Sequence, residues 1–228
     1  MSLHDKKYIV IRKILSEEVT KIYYDYLVNK EKGCITLIEN KMINPFSKVY
    51  GFFNDPQCEG AYSTYGDLLF DNMLTHLKPR IEKETELELT EMYSYARNYR
   101  IRHELKRHKD RSACEISGTI NLGGDPWPIY IDPNTEHGEF KKVKGVSKYI
   151  STGDKGVEVL LEPGDCMLYL GTECEHWREP LTDKFCSQVF LHYRETKKVT
   201  DDKWDKRLGP GMPSVTKKRY IVIWQQMI

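Results

Sequence analysis

The residues with the most chemistry in them lie in YARNYRIRHELKRHKDR, 95–111, and at position 176. His108-Lys109-Asp110 places an imidazole and a carboxylate two residues apart. In an extended chain residues i and i+2 point the same way, so both would face one spot. Alone, such a pair arises by chance too often to carry weight, and a surface histidine beside a solvated aspartate explains it equally well. His176, in Glu175-His176-Trp177, shifts that balance. It follows the strand-like run CMLYL and the turn Pro163-Gly164-Asp165, which puts a second imidazole at a strand end. Two imidazoles and one carboxylate make the donor set that holds non-heme Fe(II) on one face and leaves coordination positions open. The six cysteines (Cys34, Cys58, Cys114, Cys166, Cys174, Cys186) contain no CxxC pair and match no structural zinc spacing.

Two further features surround this set. By strand alternation Tyr93, Tyr95, Arg97, Tyr99 and Ile101 share a face, and a guanidinium among aromatic rings needs an anion, whether from a structural salt bridge or from a ligand. Residues 97–111 also hold seven Lys/Arg against Glu104 and Asp110. Such a run is either a solvated face or an electropositive mouth that draws in an anionic substrate. His192 reads as a packed histidine rather than a ligand; His103 and His137 read as exposed.

The elements that must position these groups are mostly strands. After residue 86 short runs of strand formers, 91–101, 113–122, 127–132, 157–162, 166–170 and 185–193, alternate with GGDP, DPN, TGDKG and PGD turns. That texture predicts a mainly β sandwich or barrel. It is preceded by a strand at 7–13 and two flanking helices. One opens at Ser16 with Val19, Ile22, Tyr23, Tyr26 and Leu27 as its apolar stripe. The other runs from about Tyr65 to Glu84, with Leu68, Leu69, Met73, Leu74, Leu77 and Ile81 on one side and a kink expected at Pro79. Residues 30–62 resist assignment. Residues 194–218 read as a charged surface connection, and Arg219 to Trp224 as a closing edge strand that pairs within a monomer or with the neighbour in a homodimer.

Composition bounds the rest. With 228 residues, 39% hydrophobic and 30% charged, the chain is expected to form a single domain, 1–228: strand and helices to 90, a β core over 91–193, then the connection and last strand. A net charge of +1 provides no global field for DNA or an anionic membrane. No apolar run is long enough to span a bilayer. The start, MSLHDKK, lacks an apolar signal region, so reduced thiols and a cytoplasmic location are expected.

The chain resembles the Fe(II)/2-oxoglutarate-dependent dioxygenases, nearest the prolyl-4-hydroxylase-like branch. That branch runs Tyr, two residues, Gly, two residues, an apolar residue, two residues, His-x-Asp. The matching positions are Tyr99, Arg102 in place of the glycine, Leu105, His108 and Asp110. The strand Ile116 to Leu122, the turn 163–165, the distal His176 and the following Pro180 also fit, so the resemblance covers about residues 90–193. It implies a double-stranded β-helix, or jelly roll, with N-terminal supporting helices. It implies Fe(II) held by His108, Asp110 and His176, with 2-oxoglutarate and O2 as cosubstrates and ascorbate as a stimulant. The implied reaction is hydroxylation of a C–H bond coupled to conversion of 2-oxoglutarate to succinate and CO2. Asp110 argues against the halogenase variant, which lacks the carboxylate.

One departure matters. The family usually sets an Arg or Lys about ten residues past the distal histidine to pair with the far carboxylate of 2-oxoglutarate. Here Cys186 stands ten residues on and Gln188 twelve, and neither carries a positive charge. Arg97 is the first replacement expected, with Tyr99 as a second donor, Arg178 as the next cation and Gln188 as a neutral donor. The rivals are a cupin-type metal oxygenase that does not use 2-oxoglutarate and a non-enzymatic jelly-roll binding module. The substrate stays open among peptidyl proline, an amino acid, a nucleobase and a small metabolite.

Overall fold

The computed structural model describes residues 2–143, 145–151 and 155–213. A short helix α1 (Leu3–Lys6) leads into β1 (Tyr8–Ile11). Ser16 then caps α2 (Glu17–Glu39), its hydroxyl accepting from the Val19 amide at 3.3 Å and satisfying one of the free N–H groups of the first turn. The helix takes in most of the first third of the unassigned stretch 30–62. Its inward side differs from the expected stripe: Val19 and Ile22 are exposed, while Thr20, Leu27, Glu31 and Cys34 are buried. The cause is polar. Glu31 accepts from Asn98 Nδ2 and Arg100 Nη2, each at 2.8 Å, and so faces the sheet.

β2 (Tyr62–Tyr65) occupies the expected start of the second helix. Asp67 begins α3 (Leu68–Thr85) by accepting from the Leu69 and Phe70 amides, and the helix continues through Pro79. Phe70, Met73, Leu74, Leu77 and Ile81 are buried against the sheet, whereas Leu68 points outward.

The remaining strands are β3 (Leu89–Arg100), β4 (Leu105–His108), β5 (Ile116–Gly124), β6 (Ile129–Asp132), β7 (Glu139–Val143), β8 (Val146–Ile150), β9 (Val157–Val159), β10 (Cys166–Leu170), β11 (Glu175–Arg178) and β12 (Phe185–Glu195). They form a six-stranded antiparallel sheet, order β1-β10-β5-β12-β3-β2, a four-stranded sheet, order β4-β11-β6-β9, and the hairpin β7-β8. This is the jelly roll with flanking helices that was expected. The expected strand 113–122 divides, since Ser112–Cys114 is a 3-10 turn. Ile101 leaves the aromatic face: β3 ends at Arg100, and Ile101 lies exposed in the turn.

The expected surface connection 194–218 is partly buried instead. Arg207 reaches Asp71 of α3 at 2.6 Å, both side chains being fully buried. The expected edge strand 219–224 lies outside the described residues. No helix among the described residues is long and apolar enough to cross a membrane.

Candidate metal centre between the sheets

β4 and β11 are each only four residues long, and together they carry the two imidazoles. His108 and His176 are direct cross-strand partners with ring centroids 4.3 Å apart. Two residues along β11, Arg178 pairs with Leu105, three back along β4. One extra residue therefore bulges in β4 next to His108, and a bulge re-aims the side chains around it. Here it brings the Lys106 carbonyl to His108 Nδ1 at 2.6 Å; the Cys174 carbonyl meets His176 Nδ1 at 3.1 Å. With each Nδ1–H donating to a carbonyl, both Nε2 atoms carry their lone pairs toward the space between the sheets, where that of His108 accepts from Gln57 Nε2.

Asp110 completes the group. Its Oδ1 lies 3.5 Å from Nε2 of both His108 and His176, and one ligand atom from each of the three residues falls within 4.8 Å of the others. The carboxylate is held from behind: Ser117 Oγ donates to Oδ2 at 2.8 Å, and the Asp110 amide donates to the Gly171 carbonyl at 2.8 Å. Only glycine fits at 171, because a Cβ there would stand 2.3 Å from the Cys114 carbonyl oxygen and 2.5 Å from Asp110 Oδ2. Burial disfavours the charged form of Asp110, but when the two histidines are protonated their charge and N–H donors outweigh it and hold its pKa well below the usual carboxylate range. Burial likewise opposes the imidazolium of His108, yet Asp110 and the Lys106 carbonyl raise its pKa, so a proton competes with any cation for this nitrogen. The three groups open on a cavity of about 300 Å³ that is also lined by Tyr99, Tyr169 and Phe190.

The two candidate anchoring cations are in opposite states. Arg97 is buried and satisfied. Its Nη2 lies 2.6 Å from Asp55, and its other N–H groups face Ser63 Oγ (3.0 Å), Tyr95 OH (3.0 Å), Gln57 Oε1 (3.3 Å) and Tyr99 OH (3.4 Å). The salt bridge that a buried guanidinium requires is supplied internally by Asp55, while Arg97 and Tyr99 both line the cavity on which the three metal-site residues open. Tyr99 is fully buried and its hydroxyl is turned to Arg97. Arg178 is equally buried, but among the described residues no carboxylate lies within ion-pair distance of it. Its Nη1 donates to the Trp127 carbonyl at 2.5 Å, its Nη2 donates to Gln188 Oε1 at 3.2 Å, and Nε has no partner among the described residues. Burial without an anion lowers its pKa. Gln188, on the facing sheet, thus meets the cation that the sequence placed ten residues earlier.

Of the basic run, Arg97, Arg100, Arg107 and Arg111 face Asp55, Glu31, Asp132 with Glu175, and Asp205 respectively, so much of its charge is neutralised within the fold. Sequence reasoning missed Asp55 and Gln57. They come from the unassigned stretch, and Gln57 Nε2 donates to His108 Nε2 at 3.0 Å. Nothing local marks them, because a loop residue reaches a site through tertiary placement alone.

No protein-family model matches the chain, and no curated protein matches it by sequence. Solved structures do match its fold. A prolyl-4-hydroxylase from Pseudomonas putida is 14% identical, with a TM-score of 0.52 over 85% of this chain and 97% of that one. HygX from Streptomyces hygroscopicus, solved with nickel, 2-oxoglutarate and hygromycin B bound, is 14% identical, with a TM-score of 0.55 over 91% and 92%. The epimerase SnoN, in complex with Fe3+, alpha ketoglutarate and nogalamycin RO, is 13% identical, with a TM-score of 0.56 over 83% and 79%. The fold is the one these iron- and 2-oxoglutarate-dependent oxygenases share, prolyl hydroxylases among them.

Proposed function

We propose that the protein is a non-heme Fe(II)- and 2-oxoglutarate-dependent oxygenase acting as a hydroxylase. The observation that carries this reading is the pairing on β11 of His176, which faces Asp110 and His108, with Arg178, a buried guanidinium that lacks an anion. Alternation sends both side chains to one face of the strand, about 7 Å apart along it. A five-carbon diacid held at the metal by one end would extend toward Arg178. The donor set fits Fe(II): two imidazoles with directed Nε2 lone pairs and one ionised carboxylate. Bound there, the metal would supply O2 activation.

The chain's own groups would bind and orient. Arg178 would meet the distal carboxylate of 2-oxoglutarate in a charge-assisted fork, which answers the cost of burying an unpaired cation. Gln188 would steady the guanidinium from the facing sheet. Phe190 and Tyr169 would keep water from the cavity. The neighbouring structures span a prolyl hydroxylase and an epimerase.

The test is turnover of 2-oxoglutarate to succinate by the purified protein with Fe(II) and ascorbate under air. Wild type is expected to form succinate and His176→Ala to form none. Absence of succinate from an iron-loaded wild-type protein, with candidate substrates supplied, would overturn the reading.

A further inference from the structure

Asp110 turns Oδ1 toward the two imidazoles and Oδ2 toward Ser117, and beyond Ser117 lies a second group of ligands. Cys114 Sγ, a ring nitrogen of His192 and a carboxylate oxygen of Asp110 fall within 4.8 Å of one another. Cys114 and His192 are 2% and 6% exposed, and both line the cavity. Ser117 Oγ lies 2.8 Å from Asp110 Oδ2 and 2.9 Å from His192 Nδ1. With its single proton on the carboxylate, Ser117 accepts from His192 Nδ1–H, which leaves the lone pair on Nε2. Tyr93 OH stands 2.9 Å from Cys114 Sγ, in place to donate to a thiolate. Arg111, which also lines the cavity, has its charge met by a two-pronged pair with Asp205, at 2.6 and 2.9 Å.

We propose a second cation site in this cavity, built from Cys114, His192 and Asp110, that takes a soft divalent ion such as Zn(II) or Cd(II). Bonds from such ions to S, N and O ligands run about 2.0–2.3 Å, so 4.8 Å is close to two of them end to end, and small side-chain rotations bring the three donors onto one ion. The thiolate sets the preference: sulfur favours soft and borderline ions, whereas the all-N/O set of His108, Asp110 and His176 does not. On binding, the Cys114 S–H bond breaks, an S–metal bond forms, and the proton passes to solvent. Thiolate and carboxylate together then balance the two positive charges. Because both sites draw on Asp110, an ion held by Cys114 weakens the hold of the first site on its own metal.

Cadmium titration under anaerobic conditions tests this without reference to turnover. Wild type is expected to develop a thiolate-to-Cd(II) charge-transfer absorption that saturates at one sulfur-bound ion per chain, with one proton released. Cys114→Ser removes the band. His108→Ala, which dismantles the first site, retains it, so failure of the oxygenase reading leaves this result untouched. On unmodified protein, Cd(II) is also expected to shield Cys114 from alkylation by N-ethylmaleimide, read by peptide mapping; this holds even if the serine variant does not fold. A band that survives Cys114→Ser, a wild-type protein with no band, or alkylation of Cys114 unchanged by cadmium overturns the proposal.

Discussion

Ser117 has one proton and sits among three acceptors or donors: Asp110 Oδ2, the Cys114 carbonyl and His192 Nδ1. Its hold on the carboxylate orients a metal ligand from behind, and losing such an outer partner typically costs roughly 10–100-fold in metal affinity. Ser117→Ala is therefore expected to weaken Mn(II) binding by that factor, measured by calorimetry. Unchanged affinity would remove Ser117 from the site. His192 supports a pH prediction. Burial pulls its pKa down from 6.5 to about 4. Between those values the unfolded chain carries a proton that the folded chain does not, so stability falls as pH drops through the window. The total loss is about 3 kcal/mol. Urea unfolding at pH 7, 5.5 and 4 should show this slope in wild type and a flatter one in His192→Asn. Parallel slopes would contradict the assignment.

At the scale of elements, β11 and the bulged β4 face β12 and β3 across the cavity; Arg97 of β3 lines it, and Arg178 of β11 is buried against Gln188. Their environments predict different phenotypes. Arg178→Ala is expected to weaken anaerobic 2-oxoglutarate binding to the Mn(II)-loaded protein by about 2–5 kcal/mol while sparing the metal. Arg178→Lys recovers part of this, since an ammonium cannot form the fork. Arg97→Ala strands the Asp55 carboxylate instead. It is expected to lower folding stability by about 3–5 kcal/mol, with a smaller effect on 2-oxoglutarate. Wild-type cosubstrate affinity in Arg178→Ala would show that the anchor lies elsewhere.

Across the whole molecule, the chain after β12 is tied back to the supporting helices. Trp204, Asp205 and Lys206 all adopt positive φ, a costly run for residues with side chains. The bends deliver Asp205 to Arg111 and Arg207 to Asp71, a pair with no exposure on either side. Asp71 also accepts from the Ser94 hydroxyl and the Gly211 amide. Removing one partner of a buried pair leaves a bare charge, so Asp71→Ala is expected to cost about 3–5 kcal/mol in urea unfolding. A loss under 1 kcal/mol would show that Arg207 finds water or another partner.

Local chemistry made much of this legible from residue order. Ser16 announced α2, Asp67 could have announced α3, and alternation placed Tyr93, Tyr95, Arg97 and Tyr99 on one face, because caps and pleats act over a few residues. His108, Asp110 and His176 stood out because their types suit a metal. Their meeting depended on the pairing of β4 with β11, two strands too short to carry a periodic signal of their own. The exposed Val19 and Ile22 of α2 show the same limit: Glu31 turned inward to reach Asn98 and Arg100, partners that no local pattern contains. The choice between Arg97 and Arg178 lay furthest from reach. Both are arginines on strands beside the site, and what separates them is an aspartate, Asp55, delivered by a loop. Sequence alone determined which residues could do chemistry and that the core would be β. Only the tertiary structure decided which buried cation was left without an anion, because neutralisation depends on distances between segments remote in the chain.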